Sequence, residues 1–113
     1  MFDANIFAKH LLALPKGHRV KDLISRHGHK PEQFFSELHA AIEFVVPGMQ
    51  PSTRYSTKDL VGPDLWARYS IGVARAAGIC VAFMVARGDL PLSSVTAEGV
   101  YPRRYRLKDG VNP

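Results

Sequence analysis

A chain of 113 residues is long enough to bury one hydrophobic core and too short for two comfortable ones. With 46% hydrophobic and 22% charged residues, its composition excludes wholesale disorder and fibrous classes. The formal net charge is +5, and residues 50–113 hold nine Lys and Arg against five acids, whereas residues 1–49 hold six against five. This asymmetry favours a second half that faces a polyanion.

The sequence predicts a single domain, 1–113, in the cytoplasm and without membrane contact. Cys80 is the one cysteine, so no intrachain disulfide can form, and its apolar surroundings indicate a buried, inert thiol in a reducing compartment. The first residues lack the pattern of a signal peptide. No charge-free apolar run reaches the roughly twenty residues that cross a bilayer.

Three helices are predicted in the first half. Asp3 is the N-cap of the first, which Pro15 and Gly17 end. A short second helix closes at Gly28, and a third begins at Pro31 and stops before Pro47. Apolar residues recur along these segments at helical spacing and predict a shared core: Phe2, Ile6, Phe7, Leu11, Leu14, Val20, Leu23, Ile24, Phe34, Phe35, Leu38, Ile42 and Val45.

The second half follows an irregular loop, 47–56, and opens with another short helix. Ser56 is its predicted N-cap, with Asp59 three residues on, and Gly62 ends it. A longer helical region, 64–87, is expected to break near Ser70. One face of this region should be buried: Val73, Ala77, Cys80, Val81, Met84 and Val85.

After Gly88 the apolar spacing changes from helical to alternating. Residues 90–95 and 101–107 form two β-compatible runs, and 96–99 form a plausible turn between them, which predicts a β-hairpin. Tyr105 and Leu107 should point to one side of the second run, and Arg104 and Arg106 to the other. The predicted fold class is therefore mainly α with a small C-terminal β-hairpin.

This order of elements over residues 31–108 resembles a winged helix-turn-helix DNA-binding domain, with residues 1–30 as an additional N-terminal helical extension. The resemblance implies that 57–61 braces the DNA backbone, that 62–70 is the turn region, and that 71–87 is the recognition helix. It makes 92–107 the wing. The implied function is double-stranded DNA binding, as a homodimeric transcriptional regulator or a DNA-associated accessory factor.

A DNA-binding module of this kind takes affinity and register from phosphate contacts and reads bases with the front of one helix. Arginine suits phosphate because its planar guanidinium donates two parallel hydrogen bonds. The proposed reading helix offers few polar side chains, which indicates little base discrimination. The candidate DNA-binding residues are Arg54, Lys58, Arg68, Ser70, Arg75, Arg103, Arg104 and Arg106.

A protein–protein interaction module, either a partner-binding or an inhibitory adaptor, is the alternative function. The helix 71–87 is apolar nearly all round, so it should be buried on two sides, in a homodimer or against the N-terminal helices. The expected seams between two copies are Phe7 with Leu11 and Ile79 with Phe83.

The sequence predicts no enzyme, no cofactor and no metal site. It contains no phosphate-binding glycine loop, dinucleotide motif or nucleophile elbow. All five histidines lie in the first half, and even His27 and His29 lack accompanying cysteines or a tight set of carboxylates. Trp66 and Tyr69 are assigned to the core rather than to a base-stacking platform.

Overall fold

The computed structural model describes residues 2–96 and 102–108, and its fold is mainly α-helical with a small three-stranded antiparallel sheet. The predicted fold class is therefore confirmed. No helix in the described ranges is long and apolar enough to span a membrane. The elements are α1 (Ala4–Leu12), α2 (Gly17–Arg26), α3 (Pro31–Val45), a 3-10 turn (Val46–Gly48), β1 (Tyr55–Ser56), α4 (Thr57–Val61), α5 (Pro63–Ala67), α6 (Ile71–Arg87), β2 (Leu92–Ser94) and β3 (Arg104–Leu107).

The helix ends lie where the capping residues predict them. The carboxylate of Asp3 accepts hydrogen bonds from two backbone N–H groups at the start of α1. The Ser70 hydroxyl accepts from the N–H of Val73 at 3.2 Å, so α6 begins afresh after the break that the sequence predicts. Gly88 ends α6 with a φ of +82°, a conformation that glycine adopts without steric cost.

The N-terminal helices belong to the same core as the rest of the protein. Phe7 on α1 is fully buried, and its ring lies 4.9 Å from that of Phe35 and 5.5 Å from that of Phe83. Leu11 is buried in the same cluster. The prediction that Phe7 and Leu11 form a seam between two copies is therefore wrong, because both side chains are already buried in the chain's own core.

The sheet has the order β1-β3-β2, with Tyr55 opposite Tyr105 and Leu92 opposite Leu107. The pairing of β2 with β3 confirms the two strands of the hairpin, although most of its predicted turn, 96–99, lies outside the described residues. Tyr105 and Leu107 are buried and Arg104 is half-buried, as the alternation predicts. Strand β1 was missed, because its two residues close a stretch that has no alternating pattern.

A buried histidine connects α3 to the segment that follows α6. His39 Nε2 lies 2.8 Å from the carbonyl oxygen of Asp89, and Nδ1 lies 2.7 Å from Glu43 Oε1. The ring of Phe2 stacks on the imidazole at 4.1 Å. This cluster therefore fixes the start of the chain, α3 and the end of α6 relative to one another.

Three glycines in helices differ in what surrounds them. A Cβ at Gly17 would clash with the backbone carbonyl of Leu11. A Cβ at Gly72 would lie 3.3 Å from the ring of His27, where α2 packs against α6. A Cβ at Gly78 would meet nothing within 4 Å. The first two glycines allow close helix contacts, whereas no contact within the described chain requires the third.

We expect Gly78→Ala to stabilise the protein by about 0.5–1 kcal/mol, because alanine loses less backbone freedom in a helix interior and its Cβ meets open space. Gly17→Ala should destabilise the protein by about 1–3 kcal/mol, because the added carbon displaces the backbone of α1. Urea unfolding followed by circular dichroism measures both. Equal effects of the two substitutions would contradict this account of the glycines.

Candidate nucleic-acid interface

One depression of about 610 Å³ opens between the start of α4, α5, the middle of α6 and β3. Four cationic side chains and no acidic one are among its described lining residues. We call it the basic groove, and the residues that line it are Ser56, Thr57, Lys58, Trp66, Arg75, Gly78, Ile79, Pro102, Arg103 and Arg104.

A capping box positions the α4 side of the groove. The Ser56 hydroxyl accepts from the N–H of Asp59 at 3.2 Å, and the Asp59 carboxylate accepts from the N–H of Ser56 at 3.0 Å. Ser56 also lies opposite Arg104 in the pairing of β1 with β3. Ser56 therefore caps the start of α4, which bears Lys58, and also pairs with β3, the strand that bears Arg104.

Asp59 is a carboxylate close to the groove cations. The hydrogen bond from the backbone N–H of Ser56 lowers its pKa most, and burial opposes this lowering. The Ser56 hydroxyl and the charges of Arg104 and Lys58 lower the pKa further. The negative charge on Asp59 thus stabilises the start of α4 and offsets part of the repulsion between the cations at this edge.

The floor of the groove is apolar. Gly78 and Ile79 follow Arg75 by three and four residues, so all three lie on one face of α6. The Trp66 ring completes the floor and contacts Tyr69, with ring centres 6.0 Å apart. Tyr69 in turn lies 5.5 Å from the buried ring of Phe34. A chain of aromatic contacts therefore holds Trp66 against the core.

The predicted core assignment of Trp66 and Tyr69 needs a qualification. Both side chains are half-buried and pack against the core cluster. Burial raises the pKa of Tyr69 to about 12, so its phenol stays neutral at ordinary pH. Trp66 differs because part of its ring also lines the groove. It is thus both a packing residue and an accessible aromatic surface.

The structure brings four of the predicted DNA-binding residues together in the basic groove. They come from α4, from α6 and from the start of β3, so separate segments of the second half supply them. Lys58 and Arg75 are exposed, whereas the other two are half-buried. These four residues are Lys58, Arg75, Arg103 and Arg104.

The other four predicted residues do not line this groove. Arg54 and Arg68 are exposed beside β1 and after α5, respectively. Arg106 lies two residues beyond Arg104 on the same side of β3, where it is half-buried. The hydroxyl of Ser70 accepts a hydrogen bond as the N-cap of α6. Ser70 therefore already has a structural role at the place where base contact was predicted.

Sequence reasoning did not assign the groove floor. The spacing of Arg75, Gly78 and Ile79 places them on one helical face, and this signal was available from the sequence. No comparable signal joins Trp66 to that face, because it belongs to another helix. The floor depends on how α5 packs beside α6, which the sequence pattern alone does not determine.

No cysteine, histidine, aspartate or glutamate is among the described residues that line the basic groove. Cys80 is fully buried, and burial raises the pKa of its thiol well above the usual range. This confirms the predicted burial of that thiol. Among residues 2–96 and 102–108, no group of three or more His, Cys, Asp and Glu side chains could hold a metal ion.

Comparison of the chain with protein-family models, with curated proteins and with solved structures gives no match. The function must therefore be inferred from the basic groove and the elements around it.

We expect Asp59→Asn to destabilise the protein at pH 7 and to lose its effect in acid. A carboxyl whose pKa is lowered by folding stabilises the native state above its unfolded pKa, and this contribution disappears as the pH falls through the lowered value. The difference in unfolding free energy between the two proteins should therefore shrink below about pH 4. Urea unfolding from pH 7 to pH 2.5 measures it.

Asp22→Asn is the matched control, because Asp22 is exposed on α2 and its side chain forms no hydrogen bond or ion pair in the described part of the chain. Its effect on stability should be small at both ends of the pH range. An Asp59→Asn penalty that is the same at pH 7 and pH 2.5 would show that charge is not the reason for it.

Proposed function

We propose that the protein binds double-stranded DNA, chiefly through the phosphate backbone, with Lys58, Arg75 and Arg104 among its contacts. The observation that supports this most is the convergence of cationic side chains from α4, α6 and β3 on one groove. Cations that neutralise phosphates release bound counterions, and this release supplies sequence-independent affinity. The excess of basic residues in the second half of the chain agrees with such a role.

The order of elements is a second support for the proposal. From α3 onward the chain runs helix, strand, two short helices, long helix and two strands, with the last strand in the centre of the sheet. This arrangement resembles a winged helix-turn-helix. In that reading α6 presents its N-terminal half to the major groove and the β2–β3 hairpin contacts the adjacent backbone.

The exposed face of α6 favours binding with little sequence preference. Ile71 is 77% exposed and Ile79 is 46% exposed, and small residues lie between them. Arg75 is the residue on this face that could donate two hydrogen bonds to a guanine edge. We therefore propose an accessory DNA-binding factor in the cytoplasm rather than a regulator that discriminates strongly between sites.

We also propose that the protein forms a homodimer. Neither of the two predicted seams is available in full as its contact surface. Phe83 packs against Phe7, so only Ile79 of the second seam remains substantially exposed. Phe44, at the end of α3, is the large apolar side chain with the greatest exposure in the described ranges, at 86%. It is the proposed contact between two copies.

Docking of a protein partner is the second candidate function, and a specific observation favours it. Next to the basic groove, Ile71 and Ala74 line a further depression of about 400 Å³ together with Trp66 and Tyr69. An exposed apolar surface beside cations can bind a partner that has an acidic rim around an apolar side chain. This function would need no nucleic acid.

We expect the double substitution Arg75→Gln with Arg104→Gln to weaken binding to every duplex, with a slope of log affinity against log salt that falls in magnitude by about 1–2. Glutamine keeps hydrogen-bonding capacity but removes the charge. Fluorescence anisotropy with a labelled duplex between 50 and 300 mM salt measures the affinity and the slope.

The control is Arg19→Gln, on the exposed surface of α2 and outside the groove lining. It removes one positive charge and should leave the slope nearly unchanged. If the wild-type protein shows no salt-sensitive binding to duplex DNA at low micromolar concentration, the DNA proposal is wrong and the protein-docking function replaces it.

A further inference from the structure

We infer that the basic groove is also a binding site for a small organic anion with a flat apolar body. Its volume of about 610 Å³ is suited to a small molecule. Trp66 and Ile79 provide an apolar floor, and cations line the same depression. The inference goes beyond the proposed DNA function, because it depends on the apolar floor as well as on the charges.

Gly78 is the first argument for a ligand. A glycine inside a helix is less favourable than alanine, because it loses more backbone freedom on folding. At Gly72 the packing of α2 explains this cost, but at Gly78 an added Cβ would touch nothing within 4 Å. The missing side chain instead leaves space in the groove floor. Gly78 is thus unfavourable for the helix, and no neighbouring residue requires it. A ligand in the groove that approaches the backbone of α6 closely would explain its presence.

The charges of the lining residues are the second argument for a ligand, and they determine the sign of the ligand's charge. Lys58 and Arg75 form no ion pair within the described part of the chain. Asp59, whose charge interacts with those of Arg104 and Lys58, is held in the capping box and does not line the groove. A carboxylate, sulfonate or phosphate on the ligand would therefore meet cations whose charge the protein balances only in part.

The same charges oppose a second copy of the chain as the occupant. In a two-fold contact whose axis passes through the groove, the groove cations of one copy would face those of the other. Like charges brought together in this way oppose association. The occupant must be anionic, and the size of the groove favours a small molecule.

The test uses two probes that share one aromatic body. These are 8-anilinonaphthalene-1-sulfonate, an anion, and its uncharged parent N-phenyl-1-naphthylamine. Trp66 is the single tryptophan and lines the groove, so energy transfer from its emission to a probe reports binding to the protein, and the variants below then locate the probe. We expect one anionic probe per chain, bound at least about tenfold more tightly than the neutral one. The titration contains no DNA, so its result and the anisotropy result can fail separately.

Variants then locate the probe. Gly78→Leu fills the floor and should weaken the anionic probe at least about tenfold. Ala86→Leu adds the same side chain to an exposed position of α6 outside the lining and should leave its affinity unchanged. Arg75→Gln with Arg104→Gln should bring the anion's affinity closer to that of the neutral probe, because two of the four lining cations lose their charge. Circular dichroism establishes that each variant is folded.

Equal affinity for the two probes, or undiminished binding to folded Gly78→Leu, would overturn the inference. So would a change from dimer to monomer on Gly78→Leu in light scattering, because the groove would then be the contact between two copies.

Discussion

The burial of α6 is the constraint on which the rest of the structure depends. This helix is apolar nearly all round, so other elements must cover most of its surface. Helix α2 approaches it closely at Gly72, and Phe7 of α1 packs against Phe83. The core cluster that contains Val73, Cys80 and Met84 extends to residues of α3 and of the sheet. The N-terminal helices are therefore part of the packing that a helix of this composition requires.

The face of α6 that remains uncovered is the one from which function is proposed. Ile71, Arg75 and Ile79 recur there at intervals of four residues, and the second of them is charged. Around this stripe the fold adds cations from α4 and β3 and the aromatic ring of Trp66. A surface that combines apolar area with positive charge meets two requirements of an anionic partner, since it attracts the charge and shields the apolar part from water.

Much of the fold could be predicted from sequence because its signals are local. Asp3, Ser56 and Ser70 mark helix starts, and Gly88 marks a helix end, through bonds and dihedrals within a few residues of each. The alternation of apolar and charged residues along β3 identifies its buried side, which bears Tyr105 and Leu107. The missed strand β1 pairs with residues far along the chain and is too short to show a period. The sequence predicted four of the groove cations as DNA contacts but not the groove itself, because its floor combines residues of two different helices.

The central position of β3 also affects the order in which the molecule is assembled. Although β3 lies between β1 and β2, it follows both in the chain. In a chain made from the N-terminus, the two outer strands therefore have no sheet partner until residues 104–107 are available. The groove acquires Pro102 and Arg104 at that same late stage. Because Tyr105 and Leu107 of β3 are also buried, the last described strand completes both the core and the groove.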